Sequence, residues 1–205
     1  MDLLRIISLR QVVYNDPMYD YGYVIVASWL VLITVWVIGA FTAKRDASSH
    51  PKTLPPLLLL FLLGLLIYAL TRNLQGDAFV LQRAFFGFGV AVGWVGALLT
   101  VIGIAFAIWG RYDLGRDWGI HPKEDHKLVT SGAYEYVRHP IYAGAMLALF
   151  GSALTGSVVA VAMFIISIIF CLYRIDKEEH AMLSLFPGPY PTYQARTKKV
   201  IPFVW

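Results

Sequence analysis

With 205 residues, 58% of them hydrophobic and only 15% charged, the chain is too apolar for a water-soluble domain and reads as an integral membrane protein. Its 17 Lys and Arg against 13 Asp and Glu give a net charge of +4, and the position of the basic residues bears on membrane topology rather than on nucleic acid, which is excluded as a partner. The single cysteine, Cys171, sits inside an apolar run, so a disulfide framework and a thiolate metal site are both excluded.

In chain order, the first element is an interfacial helix. Arg5 and Arg10 interrupt its apolar positions, so it lacks the compact apolar core of a signal peptide. Leu3, Ile6, Ile7 and Val13 would face lipid, and Asn15, Asp16 and Pro17 end it. Three uncharged segments then follow, each near the roughly 20 residues needed to span a bilayer: Tyr23 to Phe41, Leu54 to Leu70 and Ala84 to Gly110. The second carries Pro55 and Pro56 in its first turn, where a missing N–H is tolerated. The third carries Gly87, Gly89, Gly93, Gly96 and Gly103, small enough to let neighbouring helices approach closely. Its "GFGVAVG" stretch superficially resembles a nucleotide loop. No strand precedes it and no acidic residue follows at the required distance, so it is read as helix packing.

The fourth uncharged stretch, Pro140 to Tyr173, has 34 residues. As one helix it would be about 51 Å long, against a hydrocarbon core of about 30 Å. It is expected to fold back at Thr155, Gly156 and Ser157 into a tight hairpin, giving five transmembrane helices in an all-α polytopic fold. With five spans and the N-terminus outside, segments 44–52, 111–139 and 174–205 are cytoplasmic. They hold 3, 5 and 5 basic residues, 13 of the 17, whereas only Arg5, Arg10, Arg72 and Arg83 fall outside. The 111–139 loop carries ten charged residues and is expected to be solvated. Asp176, Lys177, Glu178 and Glu179 should continue the fifth helix beyond the membrane, so that loop and tail meet on one face. The reading is a single membrane domain over 1–205: an interfacial segment and three spans in 1–110, and a catalytic region in 111–205.

The polar side chains at that face are His126, Tyr134, Arg138, His139 and Tyr142 before the hairpin, then Arg174, Glu178, Glu179, Tyr190, Tyr193 and Arg196 after it. Together they suggest a cationic and aromatic pocket at the lipid boundary. Arg174 and Glu178 are four apart on a helix and share a face, so they can pair or jointly hold a zwitterionic small molecule. On the blander reading, Arg138 and Arg196 are topological anchors, and Tyr134 and Tyr142 belong to an interfacial aromatic belt. His126 and His139 lack the spacing of helical zinc ligands, and no metal is expected.

Several separated motifs occur in one order: "HKLVTSGAYEYVRHPIYAG" from His126 to Gly144, "RIDKEEHAML" from Arg174 to Leu183, then "YPTYQAR" and "IPF". From "DLGRDW" at Asp113 onward, the chain resembles the isoprenylcysteine carboxyl methyltransferase family, including its small prokaryotic members. The resemblance implies methyl transfer from S-adenosylmethionine (AdoMet), held without a Rossmann domain in a pocket made by the loop, the hairpin and the tail. By position, cofactor contacts would fall on His126, Lys127, Leu128, Val129, Tyr134, His139, Pro140, Ile141, Tyr142 and Glu178. Arg174 would handle the acceptor and act with Glu178 in catalysis. The chain departs from the family pattern at Gly119, where relatives often carry a polar residue, and at Pro187, where glycine is common.

The resemblance also implies a lipophilic acceptor entering from the bilayer, most simply a carboxylate of the isoprenylcysteine type, and a location in the cell inner membrane if the source is prokaryotic. A phospholipid amine or small thiol acceptor, a nicotinamide-dependent membrane reductase and a non-catalytic scaffold are the alternatives. Membrane lipids are the other partners, and the sequence does not fix an oligomeric state.

Overall fold

The computed structural model describes residues 20–42, 89–115, 128–155 and 158–205. They form six helices: α1 Asp20–Thr42, α2 Val90–Leu114, α3 Ala133–Tyr136, α4 Pro140–Ala153, α5 Val158–Leu185 and α6 Pro189–Arg196. Among the described residues there is no named strand, only an isolated parallel bridge between Val137 and Lys198, so the expected all-α class is observed. The expected interfacial helix, the span Leu54–Leu70, and the positions His126, Lys127 and Gly119 lie outside the described residues.

Two of these helices are long and apolar enough to cross a membrane. In α1 the window Tyr21–Gly39 has 19 residues at a mean hydropathy of 2.1, about 28 Å of helix. In α2, Val90–Leu114 has 25 residues at 2.3. The α1 residues Tyr21, Ile25 and Trp29 recur every fourth position and are buried in a core shared with Ala97 and Ile104 of α2 and Ala148 and Leu149 of α4.

The most extensive helix packing is between α2 and α4. The buried face of α2 reads Gly93, Gly96, Ala97, Thr100, Gly103, Ile104, Ala107, Gly110. These small residues let α4 approach until backbones touch: a Cβ on Gly103 would collide with the Gly144 carbonyl and the Ala148 amide nitrogen of α4. Lipid chains offer no hydrophobic drive for helix association, so this close van der Waals contact is what holds the pair. A buried polar knot sits in the same interface. Thr100 Oγ1 donates to Gly96 O at 2.9 Å and contacts Ser152 Oγ at 3.3 Å, and Ser152 Oγ accepts from Trp29 Nε1 at 3.1 Å. It ties α1, α2 and α4 at one level with its polar groups satisfied.

The long uncharged stretch folds back, with α4 ending at Ala153, a turn at Leu154 and Thr155, and α5 beginning at Val158 and packing on α4; Gly156 and Ser157, the other expected turn positions, lie outside the described residues. Pro140 opens α4 at a position where its missing N–H costs nothing. Helix α5 runs unbroken through Asp176, Lys177, Glu178 and Glu179 to Leu185, which matches the expected extension past the uncharged run.

One boundary differs. The sequence suggested a solvated loop from residue 111, but α2 continues through Arg111, Tyr112, Asp113 and Leu114, and Arg111 is buried. Helix hydrogen bonds do not stop where apolarity stops. The Arg111 guanidinium reaches forward to the helix end, donating to Gly115 O at 2.7 Å, and across to Gly39 O of α1 at 3.5 Å. It thereby satisfies an end carbonyl of the helix it extends.

Candidate active site

The site is assembled where α4 begins and where α5 passes from uncharged to charged residues. Upstream, Gly132 holds φ 64, a left-handed backbone that suits glycine, and a side chain there would meet the Asp113 carboxylate. The vacated space lets Asp113 Oδ2 accept from the Ala133 amide at 2.7 Å, which caps the short α3 and fixes Tyr134 in a buried position. The chain then extends through Val137 and pairs with the tail. Arg138 N donates to Lys198 O at 2.8 Å and His139 N to Lys199 O at 3.0 Å. Tyr193 Oη of α6 donates to Tyr134 O at 2.6 Å. Loop and tail therefore meet, as the charge pattern required.

Glu178 and Glu179 are adjacent on α5, about 100° apart around the helix, and so serve different partners. The Glu178 Oε1 atom accepts from Arg174 Nη2 at 2.7 Å and from Tyr142 Oη at 2.7 Å. Its Oε2 lies 3.8 Å from His139 Nδ1, beyond hydrogen-bond distance. Glu179 Oε1 accepts from Arg138 Nε at 2.8 Å and stands 3.3 Å from His139 Nε2, while its Oε2 accepts from Gln194 Nε2 at 3.3 Å and lies 3.5 Å from Lys199 Nζ. The His139 ring is thus held between two carboxylates. Arg138 also donates through Nη1 to the carbonyls of Gln194 and Thr197. Its side chain, 8% exposed, clamps the tail.

Electrostatics follow from this packing. Burial by itself would raise the Glu179 carboxyl, but hydrogen bonds from His139 and Arg138 outweigh it and hold the group down at about 2. Burial, then the fields of Tyr193, Glu178, Asp113 and Tyr142, push the Tyr134 phenol far up, so it stays protonated. The hydrogen bond to Asp176 raises the Lys199 ammonium. Within the cluster, Glu178 Oε2 retains acceptor capacity.

Of the residues expected at the site, Tyr142, His139, Arg174 and Glu178 meet directly, and Tyr134 lies within their electrostatic reach. Pro140 is buried, Ile141 is half-buried at the start of α4, and Leu128 and Val129 are half-buried in the segment leading to α3. Three residues that bind the site together were not among those expected to contact a ligand: Glu179, Arg138 and Gln194. The adjacent pair of carboxylates was the available signal for Glu179. Its partners lie 40 or more residues back and 15 or more ahead, where no spacing rule reaches.

Residues 95–184 match the sequence model of the isoprenylcysteine carboxyl methyltransferase (ICMT) family. Over that segment the chain is similar to members of this family. Protein-S-isoprenylcysteine O-methyltransferase B of Arabidopsis thaliana is 36% identical over 87 residues, which cover 42% of this chain and 44% of that protein. The cobalt-zinc-cadmium resistance protein CzcN of Cupriavidus metallidurans is 32% identical over 132 residues, covering 60% of this chain and 59% of that protein. The chain thus spans about half the length of these curated relatives. In fold, it is similar to the eukaryotic intramembrane Ras methyltransferase ICMT, with a TM-score of 0.64 at 21% identity over 93% of this chain and 69% of that one. The family segment contains α4 and nearly all of α5, and so takes in Arg138, His139, Tyr142, Arg174, Glu178 and Glu179.

Proposed function

We propose that the chain is an AdoMet-dependent methyltransferase of one membrane domain, working at the cytoplasmic membrane interface on a lipophilic acceptor, most simply an isoprenylcysteine-type carboxylate. The observation that carries this reading is the Tyr142–Glu178–Arg174 cluster. It lies where α4 starts and where α5 leaves its uncharged run, the level at which a water-soluble donor and a lipid-soluble acceptor can meet. The names of the curated relatives and the ICMT family match support the reaction class. The position of 13 of the 17 basic residues in the three segments expected to be cytoplasmic supports the orientation. Five spans, with Leu54–Leu70 as the second, are part of the same proposal.

The donor set fits AdoMet. Glu178 Oε2 would accept from an ammonium or a ribose hydroxyl, and the rings of Tyr134 and Tyr142 would hold the sulfonium. Leu128, Val129, Ile141 and the segment holding His126 and Lys127 would line the adenine end. When bound, AdoMet supplies an activated methyl group, and no proton transfer by the protein is required for its displacement. The protein's task is alignment. Tyr142 and Arg174 hold Glu178 from two sides, and the Glu178–His139–Glu179 sequence of contacts fixes the floor beneath it. The planar, always charged Arg174 guanidinium would orient an acceptor carboxylate in fork geometry.

The test is transfer from radiolabelled AdoMet by the purified protein in lipid, offered a prenylated cysteine analogue alongside total membrane lipids. Label in the prenylcysteine ester supports the reading. Label in a phospholipid amine or a thiol would keep the enzyme class and replace the acceptor, while binding of a nicotinamide cofactor without transfer would overturn the class.

A further inference from the structure

Beyond α6 the chain turns back on itself. Val200 N and Ile201 N both donate to Trp205 O, at 2.9 and 2.7 Å, and Trp205 N donates to Ile201 O at 3.1 Å. Within this hook Phe203 takes φ 65, a left-handed backbone that a phenylalanine adopts only at a penalty. The result is outward presentation of large apolar side chains: Phe203 is 91% exposed and Val204 72%, with Ile201 and Trp205 also exposed.

Packing fixes the height of this hook against the membrane. Val200, its first residue, is buried against Cys171 and Ile175 of α5, with Tyr142, Ala143 and Met146 of α4 packed around the same cluster. Those residues lie in the last turns of the uncharged part of α5 and the first turns of α4, so the hook sits where the apolar core of a bilayer begins. Two contacts mark the same level. The Lys177 ammonium lies 4.4 Å from the centre of the Tyr173 ring, and the Lys199 ammonium 5.9 Å from the Trp205 ring. Aromatic rings and lysines side by side are what membrane–water interfaces select. Arg196 and Lys198, just before the hook, are exposed.

We propose that residues 200–205 are an interfacial anchor that seats Phe203 and Val204 among the headgroups and upper acyl chains of the bilayer surrounding the protein. The occupant is lipid because the hook continues the lipid-facing surface of α4 and α5 at its edge, and cationic side chains flank it. The anchor starts one residue after the tail backbone that pairs with Arg138 and His139. Lipid contact therefore steadies the closure of loop on tail that forms the candidate active site. The inference rests on the membrane-protein reading but not on any particular acceptor.

The experiment uses the full chain in phosphatidylcholine–phosphatidylglycerol vesicles. Phe203→Cys and, independently, Val204→Cys carry a nitroxide label, with the unlabelled-background control provided by the wild type, whose Cys171 is fully buried. Ser184→Cys, on an exposed position of α5 well past its uncharged run, calibrates water, and Ile169→Cys, on an exposed apolar position of α5, calibrates lipid. The expected result is that the Phe203 and Val204 labels collide with oxygen and lose the collisions with a water-soluble nickel chelate that the Ser184 label shows. Nickel accessibility equal to that of Ser184 overturns the anchor. Labels shielded from both reagents overturn it too, in favour of a protein contact such as a second copy. If the Ile169 label is itself open to nickel, the membrane reading fails, which separates that failure from failure of the anchor.

Discussion

Replacing Glu179 with alanine should unlatch the tail. Its side chain is 9% exposed, and the carboxylate is engaged by Arg138, His139 and Gln194, with Lys199 close by. Removing it strands the Arg138 guanidinium, whose side chain is only 8% exposed, with the Gln194 and Thr197 carbonyls as its remaining acceptors. Breaking a buried ion pair by deleting one partner usually costs about 3–5 kcal/mol, and the two carbonyls place this case near the lower end, about 3 kcal/mol. For a chain of this size that is a fall of about 6–12 °C in the unfolding midpoint of the purified protein, followed by tryptophan fluorescence. The double variant Arg138→Met/Glu179→Leu removes both charges and should recover part of the loss, because no guanidinium is then left buried without its carboxylate, although the Gln194 and Thr197 carbonyls lose a donor. A loss below about 1 kcal/mol for the single variant, or a double variant as damaged as the sum of the two singles, would refute the latch.

The same carboxylate sets an acid limit. Its native value of about 2 lies below the ordinary 4.5, so its stabilisation is complete above pH 4.5 and is lost as pH falls from 4.5 towards 2. The midpoint of the wild type should drop across that window, and the Glu179→Ala profile should be flatter; parallel profiles would contradict the assignment. Gly103→Leu should separate α2 from α4, because its side chain meets the Gly144 carbonyl and the Ala148 nitrogen, which cannot swing aside. The expected penalty is about 1–3 kcal/mol or loss of folded protein, read by thermal unfolding, and an unchanged midpoint would mean the helices do not touch there. Glu178→Ala should weaken binding of S-adenosylhomocysteine by about tenfold, the worth of one charge-assisted hydrogen bond, whereas Arg174→Ala should lower turnover far more than cofactor affinity. Titration calorimetry beside the transfer assay checks this split, and a reversal of the two effects would exchange the proposed roles.

Features that depend on a residue's own neighbours along the chain were legible in the sequence. Transfer into lipid is close to additive over residues, so the runs behind α1, α2 and the α4–α5 hairpin announced themselves by length, and 34 uncharged residues had to fold back. Helical spacing alone put Arg174 beside Glu178, and they do pair. The extent of α2 was misjudged for a related reason. Apolarity marks where a membrane ends, but Arg111 could remain helical and buried by reaching forward to Gly115 and across to α1.

What only the tertiary structure decided is which faces meet. No local rule sends Glu178 to Tyr142 and Glu179 to Arg138; that follows from α4 and α5 closing at one end while the tail pairs with Val137 and His139. Nor does any local rule set Gly103 against the Gly144 carbonyl, or bring Val200 to the level of Cys171. Solvent preference is a property of each residue and can be summed along a sequence. Contact between distant residues is a property of pairs, and it exists only once the helices have chosen their neighbours.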